Sequence, residues 1–403
     1  MRSFAIASYA LYFLGGTVIT VIGSVLPQLL DYYHLSYTAG GQLVLFGSVG
    51  FIIGVPLSSF FTKWMSDKAL LSAAASIVAA AQIGILLLPP VGWVFFFNFL
   101  SGVGVAAIET IVATLMMEVF VGRRAVAMSY LEVSFGVGAL LMPAVASLLI
   151  ANDVWRFSFV FTSVAALVLA VVWKVISFSK ENVEVGKPLD ASSDPPPKIR
   201  SAKTRWLVLG LFTFMIFIYT GIEESLNNFL SSIFISYLGE VPYYASLSIG
   251  IFWMAMVIGR VAVGLVIRKV TYGGYLIGSI IGALVCLICF ILMKNAVAGY
   301  GFVALMGLAM SGMYSITMVF ANHSLPGFAR LVTSMITAFA GLGSAILPAF
   351  IGYKMDHDGS VVSLWYIVGF GVLYAAALLA VFGVQVKLRK KEVLAGAFES
   401  EGC

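Results

Sequence analysis

GVGALLMPA at residues 136–144 and GLGSAILPA at residues 341–349 follow one pattern, G-x-G-x-x-apolar-apolar-P-A, and stand 205 residues apart. The same offset carries Gly16 onto Gly221, Gly54 onto Gly259 and Gly102 onto Gly307. Glycine and proline are common in membrane helices, so any one match says little. A shared motif at the same offset as three further glycines points to a second half that repeats the first.

The solvent for both halves is lipid. Of 403 residues, 61% are hydrophobic and 10% charged, with mean hydropathy +1.04; soluble domains run at about 45–50% apolar and about 25% charged. About 20 apolar residues are needed to cross the hydrocarbon core as a helix. Twelve stretches qualify: 5–30, 38–62, 69–89, 92–118, 125–150, 155–178, 204–237, 244–267, 272–293, 297–321, 331–353 and 361–386. The first is long and has no A-x-A-like cleavage site, which predicts an uncleaved helix and not a signal peptide. Six spans per repeat bring both halves into the membrane the same way up, related by a two-fold axis along the membrane normal. The expected architecture is an all-α membrane protein with six-helix bundles over 1–178 and 204–387, a linker over 179–203 and a tail over 388–403. The linker is rich in charge, Ser and Pro and cannot bury a core.

Of the 23 Lys and Arg residues, only Arg156, Lys294 and Lys354 fall on the far side and Arg260 within a span, on a model with the N-terminus inside. Positive loops stay cytoplasmic, so both termini are expected there. The basic surplus is then topological and implies no nucleic-acid partner. Cys286 and Cys289 sit in an apolar run, and His34, His323 and His357 are scattered near helix ends. Neither set has metal-ligand spacing, and no cofactor is expected. GVGVAA at 102–107 lies in an apolar helix, where a dinucleotide fingerprint has no strand to follow.

An ionised group at the bilayer centre costs at least ~2.5–3.5 kcal/mol, so such residues usually face a cavity or a partner. Five stand inside spans: Glu109 in the fourth, Glu132 in the fifth, Glu223 and Glu224 in the seventh and Arg260 in the eighth. Desolvation favours the neutral form of a carboxyl, and one wetted alternately from two sides can load and release a proton. Glu109 suits that task or substrate binding; tethering its helix to a neighbour is the plainer alternative. In YTGIEESLNNF (219–229), Glu223 and Asn227 are four apart, as are Glu224 and Asn228, which makes two adjacent polar ridges. Glu223 is expected to face the cavity and Glu224 to pair elsewhere, with Asn227 and Asn228 available to substrate. Glu132 fits an ion pair or a substrate role equally. Arg260 is expected to gate or to brace. Glu118, with Arg123 and Arg124, is either a latch for one access state or a solvated loop edge. Tyr219, Trp253 and Tyr314 offer aromatic faces for a bound solute, or simple filling; Tyr314 stands 205 residues after Glu109.

GVGVAAIETIVA (102–113), MSYLEVSFGVGALLMPA (128–144), YTGIEESLNNFLSS (219–232) and WMAMVIGRVAVGLV (253–266) resemble the fucose/hexose permease branch of the major facilitator superfamily, bacterial glucose:proton symporters in particular. The resemblance implies a midplane site between the halves, with spans three, six, nine and twelve outermost. It also implies proton-coupled uptake of a monosaccharide, with Glu109 matching the family's span-four acid. Some members carry an Asp in span one, where this sequence has none before Asp31, and the acid usual near Ser58 is missing. The leading expectation is a proton-coupled symporter of a hexose-like sugar, in the cell membrane and monomeric, with lipid, solute and protons as its partners. The alternative is a multidrug:proton antiporter for lipophilic or cationic compounds. No enzymatic activity is expected.

Overall fold

The computed structural model describes residues 2–120, 124–176, 202–267, 269–326 and 328–401, and all their regular structure is helical. In lipid each segment must satisfy its own backbone N–H and C=O groups, which leaves the helix as the spanning form for an apolar run of this length. Twelve helical spans result among the described residues. The first half holds α1 (Arg2–Tyr33), α2 (Tyr37–Phe61), α3 (Asp67–Leu86), α4 (Val91–Val119), α5 (Arg124–Ala151) and α6 (Ser158–Val175). The second holds α7 (Ala202–Leu238), α8 (Pro242–Val266), α9 (Tyr272–Met293), α10 (Ala296–Met310), α11 (Met313–Ser324), α12 (Ala329–His357) and α13 (Gly359–Glu401).

Two elements depart from expectation. The tenth span, expected as one unbroken helix, is built from α10 and α11 with a break at Ser311–Gly312. The chain presses on its neighbours there: a Cβ on Gly312 would stand 2.4 Å from Tyr275 Oη and 2.7 Å from Val263 Cγ2. The last helix runs past the expected span end at 386 as far as Glu401.

The sequence repeat reappears as repeated contacts. In α2 against α4, a Cβ on Gly102 would stand 2.0 Å from Gly47 O, and one on Gly54 2.7 Å from Val103 O. In α8 against α10, the equivalent positions make the equivalent approaches, Gly307 to Phe252 O at 2.6 Å and Gly259 to Leu308 O at 3.1 Å. Absent side chains at these crossings let membrane helices approach backbone to backbone.

The seam between halves obeys the same two-fold. A Cβ on Gly136 of α5 would meet Val257 of α8 at 2.3 Å, and one on Gly341 of α12 would meet Ile52 of α2 at 2.8 Å. Nearer the face opposite the N-terminus, Ser246 Oγ donates to Pro143 O at 3.3 Å, and Gly41 packs on Pro348 O. Each contact has its partner at the 205-residue offset.

Overpacking at a buried crossing costs about 1–3 kcal/mol. Gly102→Leu and Gly307→Leu are therefore expected to lower the melting temperature by several degrees, whereas Gly278→Leu, with nothing within 4 Å of its would-be Cβ, is expected to leave it within a degree. Thermal unfolding followed by size-exclusion chromatography checks this, and equal behaviour of all three variants would refute the packing account.

Candidate functional site: a cavity between the halves

A cavity of about 710 Å³ lies on the axis between the halves, walled by α1, α2, α4, α7, α11 and α12. It runs from mid-depth towards the face where α1 begins, reaching Pro56 near the end of α2 and Thr333 near the start of α12. The opposite face is closed. There Asp356, at the end of α12, accepts hydrogen bonds from the backbone N–H groups of Tyr37 (2.8 Å) and Thr38 (2.6 Å), and from the Thr38 hydroxyl. A carboxylate of one half thus caps the first turn of a helix of the other, where unpaired N–H groups and the helix dipole both favour an anion.

Glu109, Glu223, Glu224, Asn228 and Tyr314 line this cavity. Glu109 sits on α4 with its Oε1 turned towards Gly15 of α1; that oxygen is buried and has no hydrogen-bond partner among the described residues. The Tyr12 hydroxyl, the nearby donor, is committed to the Glu109 backbone oxygen at 3.1 Å. On α7 the expectation that just one of two neighbouring acids faces the cavity does not hold, because both do. Consecutive residues point about 100° apart on a helix, and this cavity is wide enough to be reached from both directions. Glu224 Oε2 accepts from Asn227 Nδ2 at 3.3 Å and from Asn228 Nδ2 at 3.1 Å. Glu223 lies 3.7 Å from Arg260 Nη2, and Arg260 Nη1 lies 3.4 Å from Glu132 Oε2.

Other expected residues stand behind the wall or away from it. Trp253 is buried, donates to Asn227 Oδ1 at 2.8 Å and supports the Arg260 guanidinium over its ring at 5.6 Å. Asn227 is fully buried and also donates to Ile19 O of the first half at 3.3 Å. Tyr219 is buried with its hydroxyl on Met310 O at 3.3 Å. These three support the site from behind; none of them lines the cavity. Glu118 lies at the far end of α4, beside a separate cavity of about 190 Å³ shared with Asp67. The latch expected of it cannot be followed, since Arg123 and the Arg124 side chain lie outside the described residues.

The structure adds a set of neutral polar groups that sequence reasoning missed: Ser48, Asn98, Ser101, Thr220, Thr333 and Thr337 also line the cavity. Asn98 is anchored by its Nδ2 on Leu43 O at 2.8 Å. Hydroxyls are frequent in membrane helices, where they bond back to the preceding turn, so nothing in the sequence marked the five Ser and Thr residues apart, and Asn98 is an uncharged amide inside an apolar span. Together with the acids they offer the mixture of donors and acceptors a polyhydroxylated solute needs, against an apolar wall of Val18, Ile19, Ile22, Phe51 and Ile52.

A family model described as the Major Facilitator Superfamily matches residues 8–348. The glucose/mannose transporter GlcP of Bacillus subtilis (strain 168) is 28% identical over 395 residues, covering 97% of this chain and 96% of that protein. Among solved structures, a D-xylose-proton symporter superposes with TM-score 0.73 at 17% identity, covering 94% of this chain and 97% of the other. The nucleoside transporter NupG superposes with TM-score 0.76 at 13% identity, covering 94% and 99%.

Loss of a capping carboxylate costs about 0.5–2 kcal/mol, so Asp356→Ala should loosen the first turn of α2. Amide exchange over residues 36–41, followed by mass spectrometry, is expected to speed up about tenfold, equivalent to ~1.4 kcal/mol. Unchanged exchange would show that the cap does not hold the closed face.

Proposed function

The chain belongs to the Major Facilitator Superfamily, and on that premise we propose that it carries a monosaccharide, hexose-like in size, together with a proton by alternating access. It is a multi-pass membrane transporter and not an enzyme. The observation that carries the proton-coupled reading is Glu109: a carboxyl in the wall of the central cavity, its Oε1 buried and without a hydrogen-bond partner among the described residues. A carboxyl in a cavity wetted in turn from either mouth can take up a proton on one side and give it back on the other. Glu109 is therefore the carboxyl that loads and releases the proton. The hydroxyl and amide lining, with Glu223, Glu224 and Asn228, serves the sugar, and the likeness to a glucose/mannose transporter supports that substrate class.

The excess of Lys and Arg at the face where α1 begins supports a cytoplasmic location for both termini, in the cell membrane. The cavity then opens to the cytoplasm, and transport proceeds by rocking one half against the other until the Asp356 face opens. The protein acts as a monomer. A second reading keeps support from the apolar wall beside an excess of acids: export of a lipophilic cation in exchange for protons.

Purified protein in liposomes, offered hexoses, pentoses and amino sugars, is expected to show proton influx driven by one of them. Glu109→Gln is expected to cut uphill accumulation of that sugar at least tenfold. No proton influx with any sugar would end the symport reading, and full accumulation in the variant would remove Glu109 from coupling. Binding of tetraphenylphosphonium that is lost in Glu223→Gln would favour the antiport reading.

A further inference from the structure

Arg260 stands between acids that belong to different halves. Nη1 reaches Glu132 of α5 at 3.4 Å, and Nη2 reaches Glu223 of α7 at 3.7 Å. Both arms are longer than the roughly 2.7–2.9 Å of a settled charge-assisted hydrogen bond; the guanidinium is shared, with a long hydrogen bond to Glu132 and a looser ion pair to Glu223. The two acids differ in their surroundings: the Glu132 side chain is 52% exposed and that of Glu223 12%. Beneath the guanidinium lies the Trp253 ring, itself tied through Asn227 to Glu224. The fork therefore pivots on a fixed platform. A planar guanidinium with separate donors can serve two carboxylates at once.

Depth in the membrane determines what happens to this bridge during a cycle. Arg260 lies near the end of α8 and Glu132 near the start of α5, both on the open side of mid-depth. Glu223 sits near the middle of α7, in the same half as Arg260. When the open mouth closes, α5 and α8 approach at this level, and the Glu132 arm shortens while Glu223 moves with its own half. We propose that Arg260 is a positioning residue that exchanges Glu223 for Glu132 as the mouth closes, leaving Glu223 without its counter-ion in the closed-mouth state alone. A carboxylate released in this way is free to take a substrate hydroxyl or a proton only when the opposite mouth is ready to open. Access and charge compensation are then linked through one side chain.

The inference takes its two access states from the proposed transport cycle and needs no sugar for its test. Ser334 lines the cavity on the mouth side, so a Ser334→Cys reporter in a chain with Cys286, Cys289 and Cys403 replaced by Ser reports mouth opening through its initial rate of alkylation by N-ethylmaleimide. Glu132→Gln weakens the closed-mouth state and is expected to raise the rate at least threefold. Glu223→Gln weakens the open-mouth state and is expected to lower it at least threefold. In an Arg260→Met background both effects should vanish. Shifts of the same sign, no shift, or shifts that persist without Arg260 would overturn the proposal. The opposed signs of the two single variants decide it even if Arg260→Met does not fold. Failure of every sugar in the transport assay would sink the sugar reading and leave this result standing, and the reverse also holds.

Discussion

An ionisable group inside a lipid slab must find water or a partner, and that constraint organises this molecule. Glu109, Glu132, Glu223, Glu224 and Arg260 stand in apolar spans by sequence, yet all five gather at the seam between halves, where each borders the cavity or an oppositely charged partner. The lipid-facing surface has no comparable need and is covered by Leu, Val, Ile and Phe. Placing the charges thus places the cavity.

Closing one end of that cavity requires the halves to meet closely without locking permanently. Gly41 brings helices of different halves into backbone contact, and Gly136 and Gly341 make room for the Val257 and Ile52 side chains of the opposite half. These contacts are dispersion contacts, individually small and readily remade at another angle. Directional polar contacts across this seam among the described residues include Ser246 on Pro143 O, Ser48 on Ser344 O, Asn227 on Ile19 O, Arg260 on Glu132 and the Asp356 cap on α2. A seam held mostly by shape with a handful of polar ties is one that can open by rocking.

The architecture was legible because its signals are local or periodic. Span length reads from runs of apolar residues, and the repeat from glycines and prolines spaced 205 residues apart; glycines such as Gly102 and Gly307 mark places where helices cross without room for a side chain. The acids of the cavity were legible because charge is scarce in such a chain. What escaped was long-range and uncharged. Asp356 capping Tyr37 joins residues 319 apart and follows from no local pattern. Asn98 and Thr337 look like ordinary helix residues until α4 and α12 are seen to face one cavity. Trp253 and Tyr219 occupy inner helices, but helix rotation turns them into the packing behind the wall, and an aromatic count alone does not report rotation. Glu223 and Glu224 show the converse: a wide cavity accepts neighbours that a narrow groove would separate.

The two-fold also divides residues by what they do. Where the halves match, as at Gly54 with Gly259, Gly102 with Gly307 and Pro143 with Pro348, the shared residue serves the crossing of helices. Where they differ, chemistry enters. Glu109 corresponds to Tyr314, so one wall of the cavity presents an acid and the facing wall a phenol. Arg260 corresponds to Val55 and Glu132 to Thr337, so one seam carries ions while its twin is neutral. Asp356 corresponds to Ala151, which places the helix cap on one seam only. A strictly symmetric pair of bundles would offer a solute two identical walls and identical seams, with no reason for charge to move as the halves rock. Unequal residues at equivalent positions give each access state its own electrostatics, which is the physical requirement for tying the movement of a solute to that of an ion.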